Sequence, residues 1–267
     1  MVTVIKGKVG KIRKMLNLLM CPDKDAGKAG AMFPTVVLQL TVGKPGNIEC
    51  IAMTEKRSVI SHSSFFDFEI EGENANVAVD CVKFSKYLST LAGPEEDALI
   101  EFNVDFTRIV LPHDVASIPS IDLEHVPTNV AEYPFPLDEH GVPQFKKGKS
   151  KLTSKVEMDV GIIQQTLRKA TLVGAESFPL EFSQEGVRSV LGNKTNRSEA
   201  HIESQSKDIS LTGPDFNVTL GDGFRGVFSN MEGVVFVHGK TDHPLFVTKV
   251  IPEYKLAFVI TPKVQDA

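Results

Sequence analysis

Two segments in opposite halves of the chain repeat one pattern, and no other feature constrains the fold as strongly. Phe84-Ser85-Lys86-Tyr87-Leu88-Ser89-Thr90-Leu91-Ala92-Gly93 and Phe224-Arg225-Gly226-Val227-Phe228-Ser229-Asn230-Met231-Glu232-Gly233 agree at Phe, Ser and Gly in register, and apolar residues match at the fifth and eighth positions. A glycine just past a helix end is common in any sequence, so the match draws its weight from what surrounds it. Each copy precedes strand-like runs, and each half opens with an earlier amphipathic segment. A tandem duplication is the reading, with one domain over 1–118 and a second over 151–267. Between them stand Pro119, Pro127, Pro134, Pro136 and Pro143, followed by the basic tract Lys146-Lys147-Gly148-Lys149. Prolines at this density remove backbone donors and forbid a continuous helix or central strand, so residues 119–150 are expected to form an extended connector.

Four segments show helical periodicity when placed at 100° per residue. Val9, Ile12, Met15, Leu16 and Leu19 share one face of the first, with Lys11, Lys14 and Asn17 opposite and Arg13 at the flank. In the second, Phe84, Leu88 and Leu91 oppose Lys83, Lys86 and Ser89. The third sets Ile163, Leu167 and Ala170 against Gln165, Arg168 and Lys169. The fourth sets Phe224, Phe228 and Met231 against Arg225, Gly226, Ser229 and Asn230, and its two glycines, Gly223 and Gly226, make it the weakest helix former. The remaining runs, among them Thr35–Leu40, Phe65–Ile70, Leu99–Asn103, Thr107–Leu111 and Lys255–Thr261, have strand character and are separated by turn signals such as Lys44-Pro45-Gly46. The fold class expected is α+β, built from two duplicated domains of antiparallel strands with two helices each.

Composition excludes several functions. The chain has 267 residues, 42% of them hydrophobic and 24% charged, an ordinary globular balance. No apolar run is long enough to span a membrane, and the N-terminus lacks the apolar core of a signal peptide. Cys21, Cys50 and Cys81 are odd in number and widely spaced, which fits neither a disulfide framework nor a zinc site and points to an intracellular protein. The seven histidines form no H-x-H, H-x-x-x-H or H-E-x-x-H pattern, and neither G-x-S-x-G nor G-x-G-x-x-G occurs. The segment Gly141–Ser150 ends Gly-Lys-Ser like a phosphate-binding loop, but six residues separate its glycines and Pro143 interrupts it. Neither a cofactor nor a metal is expected, and the weight falls on binding rather than catalysis.

The net charge of −5 makes the location of the cations matter. Lysine on an amphipathic helix is usually a solvated face. Here acidic residues are nearly absent from all four polar faces of an acidic chain, which is the segregation an electrostatic lining requires.

Several short motifs then resemble the sliding clamps of the proliferating cell nuclear antigen family over nearly the whole chain. Glu253–Val264, reading Glu-Tyr-Lys-Leu-Ala-Phe-Val-Ile-Thr-Pro-Lys-Val, is similar to the family's final strand and its Ala-Pro-Lys-Ile ending. Asp242-His243-Pro244-Leu245 resembles its Val-Pro-Leu turn, and Ser120-Ile121-Asp122-Leu123 resembles the start of its interdomain connector. Ile51-Ala52-Met53 resembles its Gln-Ala-Met-Asp, with Thr54 in place of the Asp.

The resemblance implies a non-enzymatic processivity factor: a ring of subunits, usually a homotrimer, whose helices line a hole around double-stranded DNA. On this reading Lys11, Arg13, Lys14, Lys83, Lys86, Arg168, Lys169 and Arg225 are the DNA-facing set, reading phosphate and not sequence. Ring closure is expected between edge strands at Phe106–Leu111 and Glu199–Ser204, through Thr107, Ile109, Leu111, Ala200 and Ile202. A pocket for clamp-binding peptides of a DNA polymerase, clamp loader and other clients is expected at Met53, Val59, Val126, Pro127, Pro244, Val259, Ile260, Thr261 and Pro262. Val259 stands where the family often has an aromatic residue, and Pro134–Ser150 has no counterpart in it. The protein is expected to be intracellular and DNA-associated. Two other readings stay open: a checkpoint-type or viral clamp-like subunit, heteromeric or monomeric, and an enzyme with a dispersed site using Gly148-Lys149-Ser150.

Overall fold

The structure is a computed structural model that describes residues 2–23, 30–126, 130, 132–145, 151–192, 201–221 and 224–263. The first half runs β1 (Thr3–Lys8), α1 (Val9–Met20), β2 (Pro22–Asp23), β3 (Gly30–Ala31), β4 (Thr35–Thr41), β5 (Gly43–Met53), β6 (Val59–Glu71), β7 (Ala75–Asp80), α2 (Cys81–Leu91), β8 (Asp97–Phe102), β9 (Phe106–Val110) and β10 (Val115–Pro119). The second runs β11 (Ser154–Asp159), α3 (Gly161–Leu172), β12 (Ser177–Ser183), β13 (Gly186–Gly192), β14 (His201–Ser206), β15 (Ile209–Thr212), β16 (Phe216–Gly221), α4 (Arg225–Ser229), β17 (Val234–Gly239), β18 (Leu245–Ile251) and β19 (Tyr254–Ile260).

The pairings repeat between the halves. Strand β1 pairs β6 and β8 as β11 pairs β15 and β17. The order β7-β4-β5-β6 in the first half matches β16-β12-β13-β14 in the second. The long strand β6 corresponds to β14 and β15 together. The meanders β8-β9-β10 and β17-β18-β19 close the two halves alike. At the middle of the molecule β19 pairs with β6, Phe258 opposite Ser61 and Leu256 opposite Ser63, so one sheet crosses from half to half.

One core runs through both halves. The helices bury the apolar stripes read from the sequence: Val9, Ile12, Met15, Leu16 and Leu19 from α1, Phe84 and Leu88 from α2, Ile163, Leu167 and Ala170 from α3. Asp80 caps α2, its carboxylate accepting from the Lys83 main-chain N–H at 2.8 Å. Helix α4 is only five residues long. Its brevity follows from where it packs: Gly226 lies against the main chain of the first half, where a Cβ would stand 2.3 Å from the Cys21 carbonyl oxygen. Asn230 Nδ2 donates to the Pro22 carbonyl at 3.0 Å beside it.

Along β19 the side chains alternate. Leu256, Phe258 and Ile260 enter the main core, whereas Ala257 and Val259 belong to a second apolar cluster with Ile60, Phe246, Val142 and Phe145. The helices and this second cluster therefore cover opposite faces of the sheet. After Pro119, the last residue of β10, the chain reaches a 3-10 turn at Leu123–His125. Residues 132–145 instead fold against the sheet.

Candidate functional site

The four helices hold eight Lys or Arg and no Asp or Glu. Lys14, Lys83, Lys86 and Arg168 point outward and are exposed. Among the described residues Lys14, Lys86 and Arg168 form no ion pair, and Lys14 Nζ lies 5.4 Å from the centroid of the Tyr254 ring. Lys83 is 4.0 Å from Asp80. Lys11 folds back on β6, donating to the Asp67 carbonyl and lying 4.4 Å over the Phe68 ring, with Asp67 Oδ2 at 3.4 Å. An exposed pair of this kind is worth about 0–1 kcal/mol, so Lys11 can exchange Asp67 for another anion. Arg13 lines a cleft of about 340 Å³ with Lys14, Asn230, Glu232 and Tyr254, where α1 meets the second half. Lys169 donates to Ser204 Oγ at 3.0 Å and so is directed to β14.

Arg225 corrects the sequence-based expectation. It is 7% exposed, donates to Thr171 Oγ1 at 2.8 Å and to the Ala175 carbonyl at 3.3 Å, and stacks over Phe178. The reason is the burial of α4 itself: Gly226, at the position of Lys86 in the repeat, is pressed on the first half, and the face that bears cations elsewhere is inside. The outward faces also present apolar side chains that the sequence reading did not single out, Val82 and Tyr87 on α2 and Leu172, 80% exposed, on α3.

The edge-strand expectation is half corrected. Thr107 and Ile109 lie on β9, which is sandwiched between β8 and β10, and both are buried; Leu111 is buried beyond its end. The free edge is one strand further on. After Pro112 a turn closed by Leu111 N–H to the Asp114 carbonyl at 2.8 Å returns the chain as β10, where the sequence reading placed no strand. Among the described residues β10 pairs only with β9 and β14 only with β13. Ile202 is on the edge strand β14, and Ala200 lies outside the described residues.

The residues expected to form one peptide pocket do not come together in one place. Val59 and Ile260 pair with each other and face the main core, the first fully buried and the second 1% exposed, because strand alternation turns them inward; Ile260 also contributes to the wall of the cleft lined by Thr261 and Pro262. Met53 and Val259 share the outer cluster. Thr261 and Pro262, with Ser58, Glu176 and Phe224, line a cleft of about 340 Å³ near the C-terminal strand, where Thr261 donates to the Ser58 carbonyl and Pro262 bridges Leu220. Val126 packs on Val37 and Ala78 of the first half. Pro244 is partly buried in the turn before β18, and Pro127 lies outside the described residues.

What covers the outer cluster is the connector. Tyr133, Phe135, Val142 and Phe145 lie on Ile60, Phe246, Ala257, Val259 and Met53. Phe135 and Phe145 meet edge to face at 4.9 Å, and Tyr133 lies 5.6 Å from His62. The signal for this was present: Leu256–Ile260 is apolar without interruption, which marks a strand covered on both faces.

No protein-family model matches the chain, and no curated protein matches its sequence. Solved structures do match over its full length. The PCNA of A. fulgidus, in a structure with the C-terminal region of FEN-1 bound, is 10% identical with a TM-score of 0.73, covering 100% of both chains. The PCNA of Thermococcus kodakaraensis is 16% identical with a TM-score of 0.69, covering 98% of this chain and 100% of that one. The Proliferating Cellular Nuclear Antigen of Entamoeba histolytica is 10% identical with a TM-score of 0.72, covering 98% of each. The repeated halves, the single sheet crossing between them and these end-to-end likenesses establish that the chain has the fold of the PCNA clamps.

Proposed function

We propose that this chain is one subunit of a DNA sliding clamp, a non-catalytic ring that holds replication proteins on double-stranded DNA. The observation that carries the proposal is the charge of the helices: every Lys and Arg but one is on or beside an outward face, and the helices themselves contain no acidic residue. Lys14, Lys83, Lys86 and Arg168 form the phosphate-facing set, with Lys11 and Arg13 at its margin. Contacts to phosphate carry no base preference and permit movement along the duplex. The free edges of β10 and β14 give each chain two different strand edges open to pairing, and head-to-tail pairing of such edges closes a ring when the rotation allows. A homotrimer is the closed form proposed. The outer face around Met53 and Val259 is the proposed docking face for a DNA polymerase, clamp loader and other clients.

The test is retention on DNA of two topologies. Protein loaded on nicked circular DNA is expected to stay after a high-salt wash and to leave once the circle is cut, because the link is topological. Equal retention on circular and cut DNA sinks the proposal. The burial of Arg225 favours a second reading, in which the uneven ring wall belongs to a heteromeric clamp; a chain that remains monomeric at micromolar concentration and forms rings only with other subunits would select it.

A further inference from the structure

The outer face of the central sheet carries an apolar row that crosses four strands in register, Met53 on β5, Ile60 on β6, Val259 on β19 and Phe246 on β18, with His238 on β17 continuing it. A row of this length on a face turned away from the helices requires a cover. The cover is residues 132–145, a unit that organises itself. The Asp138 carboxylate accepts from the main-chain N–H groups of His140 and Val142 at 2.9 and 3.0 Å and from Gln144 Nε2 at 3.1 Å. Main-chain bonds Asp138 to Val142 and Gln144 to Pro136 complete it.

The attachment of this unit to the sheet is of another kind. Among the described residues no hydrogen bond links 132–145 to the strands beneath; Tyr133, Phe135, Val142 and Phe145 pack on them through apolar contacts. The seal is also imperfect. Among the described residues His62 Nε2, Tyr133 Oη and Gln144 Oε1 are buried and have no hydrogen-bond partner, and each such atom costs free energy that opening to water returns. A preformed unit, held by side-chain packing over unpaired polar atoms and leashed at both ends, is built to leave and return as one body.

We propose that residues 132–145 are a displaceable plug that fills a docking surface for aromatic-bearing peptide segments, so that a partner reaches Val259 and Phe246 only by expelling the chain's own Tyr133, Phe135 and Phe145. This rests on the reading of that face as the client-docking face, and it sets the kind of partner: a segment offering at least two large apolar side chains.

The experiment supplies the plug in trans, with no DNA and no closed ring, so that its failure and the failure of the clamp proposal are distinguishable. A labelled synthetic peptide with the sequence of residues 132–145 is titrated against the intact chain and against a variant in which those residues are replaced by an equally long Gly-Ser segment. The variant is expected to bind the peptide at least about tenfold more tightly, because a tethered competitor acts at high effective concentration. A second variant, Tyr133→Ser with Phe135→Ser, keeps the connector and guards against misfolding of the replacement; it is expected to gain peptide binding and to be cut faster by protease within 132–145. Equal binding to the intact chain and the folded variants, or binding to none of them, overturns the proposal.

Discussion

At the residue scale, cations that look alike in sequence have opposite duties. Lys86 and Arg225 occupy neighbouring positions of the same repeat, yet Lys86 is exposed and Arg225 is 7% exposed, bonded to Thr171 and Ala175 and stacked on an aromatic ring. Arg225→Ala strands buried acceptors and opens space beside Phe178, so it is expected to lower stability by about 2–4 kcal/mol in denaturant unfolding without changing DNA retention per folded molecule. Lys14→Glu with Lys86→Glu is expected to do the reverse: an unchanged melting temperature, weaker retention on circular DNA, and a salt slope reduced by about 0.9 for each phosphate no longer neutralised. The histidines under the connector make a third case. Burial, reinforced by Lys155 and opposed by Asp138, holds His238 down to about 4, and it lies 5.7 Å from Phe246. Burial likewise lowers His62, with Lys255 lowering it further and Glu49 opposing, and Tyr133 lies on its ring. His238 is therefore neutral in the covered state down to about pH 4, and uncovering moves both histidines back up towards about 6.5. Below about pH 6.5 the open form binds more protons, so opening grows as pH falls towards about 4. Protease cleavage within 132–145 is expected to be faster at about pH 5 than at about pH 7.5, and His238→Gln is expected to flatten that difference; cleavage independent of pH in the intact chain would show that neither histidine gates the cover.

At the element scale, what the sequence revealed and what it concealed divide along local and non-local causes. The apolar stripes of α1, α2 and α3 were legible because a helix that buries one face must repeat it every three or four residues, and the repeat in α2 and α4 marked the duplication. The strand β10 was not, because Val115–Pro119 is five residues long, ends in proline and shows only two apolar positions facing the core. Its status as an edge depends on β9 lying inside, a fact of sheet order that no periodicity encodes. The plug was hidden for a related reason: Tyr133, Phe135 and Phe145 are meaningful only once the outer row of Met53, Ile60, Val259 and Phe246 is assembled from four strands. The brevity of α4 was half legible. Its glycines announced a weak helix, but the cause, a main-chain contact with Cys21, joins residues far apart in sequence. Gly226→Ala places a methyl group where the Cys21 carbonyl oxygen stands, and overpacking of this kind costs about 1–3 kcal/mol. The variant is expected to melt at lower temperature, whereas the corresponding change in the other half, Lys86→Ala, is expected to leave the melting temperature unaltered; equal effects would show that α4 is not pinned by this contact.

At the scale of the whole molecule, the duplication supplies a template for the proposed assembly. Within the chain, the last strand of the second half, β19, pairs with β6 of the first. The last strand of the first half, β10, and the counterpart of β6 in the second, β14, are left open among the described residues. Superposing the halves by their ladders fixes what β10 would meet on another copy. The turn Leu111 to Asp114 corresponds to Ile251 to Tyr254, which equates Ser117 with Ala257 and Ile118 with Phe258. The pairs Leu40–Ile48 and Cys50–Ser63 correspond to Phe182–Val187 and Ser189–Ser204, which equates Ser61 with Ile202 and His62 with Glu203. Because Ala257 is opposite His62 and Phe258 opposite Ser61, the expected register sets Ser117 against Glu203 on the outer face and Ile118 against Ile202 on the core face of the neighbouring subunit. Shifting the strand by one residue would turn Ile118 to the outside, so burial opposes any other odd register. A cysteine pair tests this directly. Ser117→Cys with Glu203→Cys, both at exposed positions, is expected to give covalent dimers and trimers on mild oxidation, since directly opposite residues bring their Cβ atoms within disulfide reach. The native thiols do not compete: Cys21, Cys50 and Cys81 are buried, and burial pushes Cys50 up to about 12. Ser117→Cys with Gln205→Cys, two residues out of register, is expected to remain largely uncrosslinked. Crosslinking of the second pair in preference to the first would mean that the chain does not use its own internal junction as the pattern for its ring, and Ile118→Arg, expected to yield a folded monomer, would then leave the assembly intact.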